Sequence, residues 1–344
     1  MIKVSVIIPC RNEVSFIEQV LLSVINGKRA GLEIEVIVAD GMSDDGTREI
    51  ICRIGKAYPQ VRLLDNPEQI VPYALNRAIE ASHGEVIVRM DAHAEYPDDY
   101  VWSLVNSLIE TGADNVGGIW KIVPGDNTLE AKVAAIASAN RFGVGNAYYR
   151  IGSDKHREVD TVPFGCYRRH VFNSIGLFDT DMVRNQDDEF NARLRKMGGK
   201  IILIPSIVIR YFARPTIRQL GTMFYQYAYF KPLGNLKTGQ ITTFRQLGPP
   251  ALVGGWLLMA GLSIFFNTPR GGLVILSLLY LSFIYLIALK EAIAHGLGGR
   301  GLTLLGRCFL TMHISYGFGY LKGLLDFSLR KLHRRRTIKA PLSR

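Results

Sequence analysis

Polar clusters in the first half of the chain carry the residue types that chemistry on a charged ligand needs. In Asp91-Ala92-His93 a carboxylate and an imidazole stand two residues apart. Residues i and i+2 of an extended segment point the same way, so the pair can face one ion. A carboxylate with an imidazole suits Mn2+ or Mg2+ that also holds a diphosphate. Magnesium accepts imidazole poorly, so direct contact between His93 and phosphate stays open, as does a plain strand-end turn. Asn185-Gln186-Asp187-Asp188-Glu189-Phe190 opens a segment of helical pattern. Acidic residues in a first turn ordinarily complement the helix dipole. One of them aimed into a cleft would be a general base. Two further clusters, Pro9-Cys10-Arg11-Asn12-Glu13 and Asp40-Gly41-Met42-Ser43-Asp44-Asp45-Gly46-Thr47, read as turn and cap chemistry or as contacts to a ligand. In the second reading Asp40 accepts hydrogen bonds from a base or a ribose.

These clusters follow elements that would bring them to one edge. Apolar runs at Val4–Pro9, Ile34–Ala39, Val61–Leu64, Glu85–Met90 and Val116–Ile122 read as buried strands. Between them, Glu13–Asn26, Asp44–Ala57, Val71–Ser82 and Asp98–Glu110 have helical periodicity or caps. Strands alternating with helices predict an α/β fold with a mainly parallel sheet. Ligands of such sheets bind at the carboxyl ends of the strands, where the clusters fall. Farther on, Asn140–Arg150 is rich in glycine and aromatics and reads as a flexible binding loop. Val159–Tyr167 reads as a strand, Arg184–Met197 as a helix and Ile201–Ile204 as a strand.

The net charge of +11 is unevenly spread, and from Pro205 to Lys290 there is no Asp or Glu. Arg210, Arg214, Arg218, Lys231, Lys237 and Arg245 precede a strongly apolar stretch, and Arg330, Lys331, Arg334, Arg335, Arg336 and Lys339 follow it. No nucleic-acid motif accompanies this charge. Basic flanks around apolar segments point to anionic lipid and the positive-inside rule instead. The pattern predicts a catalytic domain over 1–235, with an amphipathic interfacial helix at about 217–231, and a membrane region over 236–344. Its apolar segments lie at about 249–266, 272–289 and 302–325, before a basic C-terminal tail. Two crossings plus a non-crossing third segment, interrupted by glycines and charges, keep that tail inside. The four cysteines lack metal or disulfide spacing, and the N-terminus reads as a strand rather than a cleavable leader. The expectation is a multi-pass protein of the cell inner membrane with its catalytic domain in the cytoplasm.

In their order along the chain, these motifs resemble the inverting family 2 glycosyltransferases of GT-A fold. The matching residues are Val6-Ile7-Ile8-Pro9 with Arg11-Asn12-Glu13, Val38-Ala39-Asp40-Gly41 with Ser43 to Thr47, Met90-Asp91-Ala92-His93, and Asp187 to Leu194. More narrowly, Asp91-Ala92-His93, Phe142-Gly143-Val144-Gly145, Asp160 to Gly165 and Asn185 to Glu189 look like the succinoglycan-type exopolysaccharide enzymes of bacteria. The resemblance implies a GT-A domain followed by a transmembrane region. It implies transfer of a sugar from a nucleotide diphosphate sugar to a lipid-linked saccharide at a membrane. Asp187 would be the base, and Asp91 with His93 the metal site for Mg2+ or Mn2+. Pro9, Arg11, Glu13, Asp40, Asp44 and Asp91 would bind the donor. Gly143, Gly145, Tyr149, Phe164, Gly165 and Asp188 would shape the acceptor side, and Arg168 and Arg169 are further candidates for a lipid diphosphate. The usual Asp-x-Asp motif is Asp-Ala-His here, and the usual Glu-Asp pair is Gln186-Asp187. The Gln-x-x-Arg-Trp motif of processive synthases is absent, which argues against chain polymerisation.

Two rival readings share the same motifs. A polyprenyl-phosphate monosaccharide synthase would use an equivalent donor site. A catalytically silent membrane adaptor would have lost the base or the diphosphate site, yet Asp187, Asp91 and Asp40 are all present. A nicotinamide enzyme is disfavoured, because the first strand leads into Pro9-Cys10-Arg11 and not a Gly-x-Gly-x-x-Gly turn.

Overall fold

The computed structural model describes residues 1–332. Its contacts group the chain into two compact units, Met1–Lys121 with Ile151–Tyr211, and Ile122–Arg150 with the chain from Phe212 onward. This grouping differs from a single division near residue 235. A segment from the middle of the chain joins the C-terminal helices, a pairing invisible to composition.

The first unit is built on a sheet of nine strands among the described residues. They are β1 (Ile2–Cys10), β2 (Leu32–Asp40), β3 (Val61–Asp65), β4 (Val86–Arg89), β5 (Ala94–Glu95), β6 (Asn115–Val123), β7 (Arg157–Glu158), β8 (Cys166–Arg168) and β9 (Ile201–Phe212). Their order is β3-β2-β1-β4-β8-β6-β9-β5, with β7 also on β9. The half formed by β3, β2, β1 and β4 is parallel, as the alternating pattern predicts. The other half is mixed, because β8 is antiparallel to both β4 and β6 and β9 is antiparallel to β5 and β7. Val4, Val6 and Ile8 of β1, with Val36 and Val38 of β2, are almost fully buried in the main core. Helices Ile17–Asn26, Thr47–Ala57, Val71–Glu80 and Tyr100–Thr111 make the connections.

Two strand expectations change. Val159–Tyr167 is mostly a buried strap, and only Cys166–Arg168 pairs as a strand. Pro163 has no N–H for a ladder, and Phe164 takes a left-handed φ of 47°. Conversely, β9 continues past Pro205. Ile207, Ile209 and Tyr211 are buried while Ser206, Val208 and Arg210 are exposed, a two-residue alternation that a reading stopped at the proline misses.

The second unit is helical. Its larger helices are Leu129–Ser138, Ile217–Thr238, Gly248–Leu262, Thr268–Ala294 and Gly299–Leu332. The helix expected at a membrane surface from 217 is longer, and half of its residues are buried. Leu220, Met223 and Phe224 share a core with Leu305, Phe309 and Met312 of the last helix, so protein and not lipid covers them. The glycines of the last helix explain this closeness. A Cβ on Gly319 or Gly323 would collide with the carbonyl oxygens of Tyr225 or Tyr229. Those glycines form a packing face, as small residues do where helices approach tightly.

Among the described residues one helix, Pro269–Ala294, is long and apolar enough to cross a membrane. It has 26 residues, a mean hydropathy of 2.5 and only 11% of its most apolar window buried in protein. Gly248–Leu262 has 15 residues, a rise of about 22 Å against a hydrocarbon core of about 30 Å. The two-span hairpin expected over 249–289 is thus one full-length helix and one shorter one. The tail residues Arg334, Arg335, Arg336 and Lys339 lie outside the described residues.

Candidate functional site

The register sets the carboxyl ends of β1 and β2 level, and β4 ends three residues short of the end of β1. Cys10 lies beside Asp40, and Ile7 beside Arg89. Beyond β1 and β2 the chain turns through left-handed Asn12 (φ 54°) and Met42 (φ 56°). Non-glycine residues adopt this conformation only where the surroundings enforce it. The Asn12 N–H donates to Ser43 Oγ (2.8 Å), and the Asp44 N–H donates to Asn12 Oδ1 (3.2 Å). The Glu13 N–H donates to Thr47 Oγ1 (2.8 Å), and the Gly41 N–H donates to the Cys10 carbonyl (2.7 Å). The two expected donor clusters are therefore one cross-linked edge. Pro9 is half-buried and Glu13 buried, while Arg11 and Asp44 are exposed.

Asp40 has no exposed surface. Its carboxylate accepts from the Ser43 N–H (2.9 Å), from the Ser43 hydroxyl and from Arg48 Nη1 (2.7 Å). Arg48 also reaches Asp65 at 2.7 Å, and Asp65 and Asp40 together hold its guanidinium above the ordinary arginine value. A nucleoside reaching Asp40 would have to exchange with these donors. The sequence reading missed Arg48, although it lies eight residues after Asp40 in the first turn of the following helix.

At the end of β4, Asp91 and His93 flank the buried Ala92. Each has a partner from the same unit. Arg89 Nε lies 3.1 Å from Asp91 Oδ1 and its Nη2 3.3 Å from Oδ2, a two-point contact. His93 Nδ1 lies 3.3 Å from Oε1 of Glu13. The Asp91 backbone is clamped by Tyr96, whose hydroxyl accepts from the Asp91 N–H (2.8 Å) and donates to the Asp91 carbonyl (3.0 Å). Arg89 is only 6% exposed. Burial alone would lower its pKa, but Asp91 and Asp187 outweigh it and hold the guanidinium raised and charged. Asp187 thus lies within electrostatic reach of the same arginine. Arg89 stood in plain view as the one charge in the apolar run Val86–Met90, two residues from a carboxylate.

Asp187 sits in the first turn of helix Gln186–Lys196, after left-handed Asn185 (φ 59°). Its Oδ1 accepts from the Asp188 N–H (2.9 Å). The sequence left three acids to choose from, and the structure removes one. Glu189 is 2% exposed and bound to Arg193 at 2.7 Å. Asp187 and Asp188 are half-buried. The helix is tied to the strap, because Asn191 Nδ2 donates to Thr161 Oγ1 (2.9 Å) and Asn115 Nδ2 donates to Asn191 Oδ1 (3.0 Å). Phe164 and Gly165 follow on this strap. A Cβ on Gly165 would come within 2.5 Å of Asn115 and Tyr167, so glycine alone fits. Phe164 lies among Tyr96, Tyr100 and Trp120, and Trp120 stacks on Tyr211 at 4.0 Å.

The other acceptor candidates belong to the second unit. Asn140–Arg150 is not a free loop but two short helical turns, the first capped by Asn140. Gly143 is buried against Met312, and Gly145, at φ 65°, lies against Arg245. Tyr149 meets Arg150. The segment is anchored by Asn140 to Glu291 (2.8 Å) and by His313 Nε2 to the Phe142 carbonyl (2.8 Å). Arg168 and Arg169 are placed away from the strand ends. Arg168 pairs with Val86 at the start of β4 and donates to the carbonyls of Ala113 and Leu108. Arg169 donates to Gly84 and Ser82. Asp91 stands five residues beyond Val86, about 16 Å along extended chain, so neither arginine lies beside Asp91.

No cluster of three or more His, Cys, Asp or Glu forms a metal cage among the described residues. Asp91 and His93 fit a metal completed by ligand oxygens. Arg89 Nε and Nη2 both reach Asp91 Oδ1 (3.1 and 3.0 Å) and Nη2 also reaches Oδ2 (3.3 Å), which leaves Oδ2 a lone pair, while Glu13 takes His93 Nδ1 and leaves Nε2. A carboxylate behind a ligating imidazole is the usual supporting arrangement. Such sites hold Mg2+ or Mn2+ when substrate phosphates supply the remaining positions.

Comparison with known proteins gives consistent results. The family model "Glycosyl transferase family 2" matches residues 5–176. The chain is 30% identical over 329 residues to the succinoglycan biosynthesis protein ExoA of Rhizobium meliloti (strain 1021), covering 94% of this chain and 96% of that one. It is 26% identical over 224 residues to a Methanococcus voltae enzyme, dolichyl N-acetyl-alpha-D-glucosaminyl phosphate 3-beta-D-2,3-diacetamido-2,3-dideoxy-beta-D-glucuronosyltransferase, covering 63% of this chain and 68% of that one. Among solved structures, the mannosyltransferase PcManGT from Pyrobaculum calidifontis, in complex with GDP-Man and Mn2+, superposes with a TM-score of 0.62 at 20% identity, over 94% of this chain and 87% of that one. That likeness concerns the fold, which is GT-A.

Proposed function

The chain belongs to glycosyl transferase family 2 and is a hexosyltransferase using a nucleotide sugar, and we propose that it passes the sugar, with inversion, to a hydroxyl of a polyprenyl-diphosphate-linked oligosaccharide in exopolysaccharide or cell-surface glycan synthesis. The carrying observation is that one buried arginine, Arg89, touches Asp91 and feels the charge of Asp187, so the two carboxylates most needed by such a reaction share one environment. The lipid-linked acceptor is supported by the relatives named for succinoglycan biosynthesis and for a dolichyl phosphate substrate. The exposed apolar helix Pro269–Ala294 supports association with a membrane. We place the protein at the cell inner membrane with its catalytic unit on the cytoplasmic side.

In this reading the edge built by Pro9, Arg11, Glu13, Asp40 and Asp44 receives the nucleoside diphosphate. Asp91 and His93 would hold a divalent metal, Mg2+ or Mn2+, whose chemistry is to neutralise the charge of the leaving diphosphate. Glu13 keeps His93 oriented from behind. Asp187 takes the proton of the acceptor hydroxyl as its oxygen attacks the anomeric carbon, and the sugar–diphosphate bond breaks on the opposite side. The Phe164–Gly165 strap and Asp188 border the acceptor. Backbone strain at Asn12, Met42, Phe164 and Asn185 supports this reading, since residues held in such conformations cluster at working sites.

The test is to supply membranes containing the chain with a panel of labelled nucleotide sugars and to identify the labelled lipid. An extended lipid-linked oligosaccharide supports the proposal. A monosaccharide on polyprenyl phosphate, formed when that lipid is added, transfers the assignment to a monosaccharide-lipid synthase.

A further inference from the structure

Arg89 is an expensive residue to place where it is. A buried guanidinium is tolerated only when its hydrogen bonds and charge are matched. Nothing in the chemistry just described requires it, since base, metal site and nucleotide edge are supplied by other residues. Yet Arg89 has three attachments of its own. Its side chain meets both oxygens of Asp91 at 3.1 and 3.3 Å. Its backbone N–H donates to the Gly165 carbonyl at 3.0 Å. Its guanidinium lies 5.9 Å from the ring centre of Phe164. One residue therefore links the donor carboxylate to the strap bordering the acceptor.

We infer that Arg89 is a positioning residue that orients the Asp91 carboxylate for the metal of the donor diphosphate and keeps it in register with the Phe164–Gly165 strap. This rests on the assignment of Asp91 to the donor site. The physical argument is geometric. A carboxylate on a strand end rotates freely about its side-chain bonds unless both oxygens are held, and a planar guanidinium holds both at once. Lysine offers a point charge and cannot fix the carboxylate plane. The same cation feels the charge of both Asp91 and Asp187 and so offsets part of the repulsion between them. With Arg89 in place, Asp91 needs little reorganisation when the diphosphate arrives, which is how preorganised sites gain rate.

The test uses full-length protein in lipid nanodiscs and the variants Arg89→Lys, Arg89→Gln and Asp91→Ala. Mn2+ is titrated by electron paramagnetic resonance with UDP or GDP present, and donor KM and kcat are measured alongside. Arg89→Lys should melt close to wild type but bind Mn2+ with nucleotide roughly ten- to a hundredfold more weakly, with donor KM raised. Arg89→Gln should be at least as impaired. A residue needed only for folding would lower the active fraction and leave KM and Mn2+ affinity per folded molecule unchanged. That pattern, or loss of cooperative melting in both Arg89 variants, overturns the inference. If Asp91→Ala loses Mn2+–nucleotide binding while Arg89→Lys keeps it, the role of Arg89 fails and the donor site stands. If Asp91→Ala binds as wild type does, or wild type binds neither nucleotide with Mn2+, the donor-site assignment fails and the inference with it.

Discussion

Replacing Asp187 with asparagine separates chemistry from architecture at this site. Asp187 Oδ1 accepts a hydrogen bond from the Asp188 N–H at 2.9 Å. The amide oxygen of asparagine can accept the same bond. Asp188 and Glu189 remain in the first turn to complement the helix dipole, so the lost charge costs stability of only about 0.3–1 kcal/mol, and less at a half-exposed position. Arg89 keeps its two-point contact with Asp91, so no buried cation is orphaned. Turnover should respond on another scale. Loss of a general base typically slows a reaction about 10²–10⁴-fold, roughly 2.7–5.4 kcal/mol of transition-state stabilisation. The assay is kcat and donor KM for wild type and Asp187→Asn in nanodiscs with labelled nucleotide sugar, beside thermal melting of both. The expected result is a collapse of kcat with donor KM and melting nearly unchanged. A kcat within a few-fold of wild type refutes the base assignment. A large fall in melting temperature refutes the structural reasoning about the helix turn.

Glu13→Gln should weaken Mn2+–nucleotide affinity about tenfold by loosening His93, and an unchanged Mn2+ titration would detach Glu13 from that role. Chelation should stop turnover and added Mn2+ or Mg2+ restore it, whereas full activity in excess chelator rules out a metal at Asp91 and His93. Gly323→Ala drives a Cβ into the Tyr229 carbonyl and should destabilise the helical unit by about 1–3 kcal/mol. Gly254→Ala, whose nearest neighbour lies at 4.0 Å, should melt as wild type, and equal melting of both variants would contradict the packing argument. Burial alone would raise the Glu35 carboxyl, but donors from His83, Ser5 and Arg62 hold it below its ordinary value of 4.5. A depressed folded pKa stabilises above the unfolded value and loses that contribution as pH falls through the folded one. The melting gap between wild type and Glu35→Gln should therefore be open at neutral pH and close on acidification below about 4.5, and a gap that widens on acidification reverses the assigned sign.

Where sequence and structure part, the reason is physical in each case. Arg48 and Arg89 went unread because the role of an arginine is set by its partners. For Arg48 these include Asp65, seventeen residues away. Arg89 and Asp91 are two residues apart, but nothing local says that the side chains meet rather than diverge. The stretch from Asn140 to Arg150 looked flexible because glycine frees a backbone. In the fold the same glycines admit close neighbours, Met312 at Gly143 and Arg245 at Gly145. Pro205 looked like a strand end, while the two-residue alternation beyond it shows that the strand continues.

By itself the sequence determined the parallel half of the sheet, the helices between its strands and the polar clusters at its carboxyl edge. These depend on periodicity and on residues close along the chain, so a short window contains their cause. Only the tertiary structure decided how each functional group is held. It made Asp40 an acceptor for Ser43 and Arg48, set Glu13 against His93, bound Glu189 to Arg193 and left Asp187 and Asp188 as half-buried acids. It also turned the glycines of the last helix into a packing face. Ion pairing and close packing are settled by which side chains meet in space, whether near or remote along the chain, and that is decided only when the chain folds.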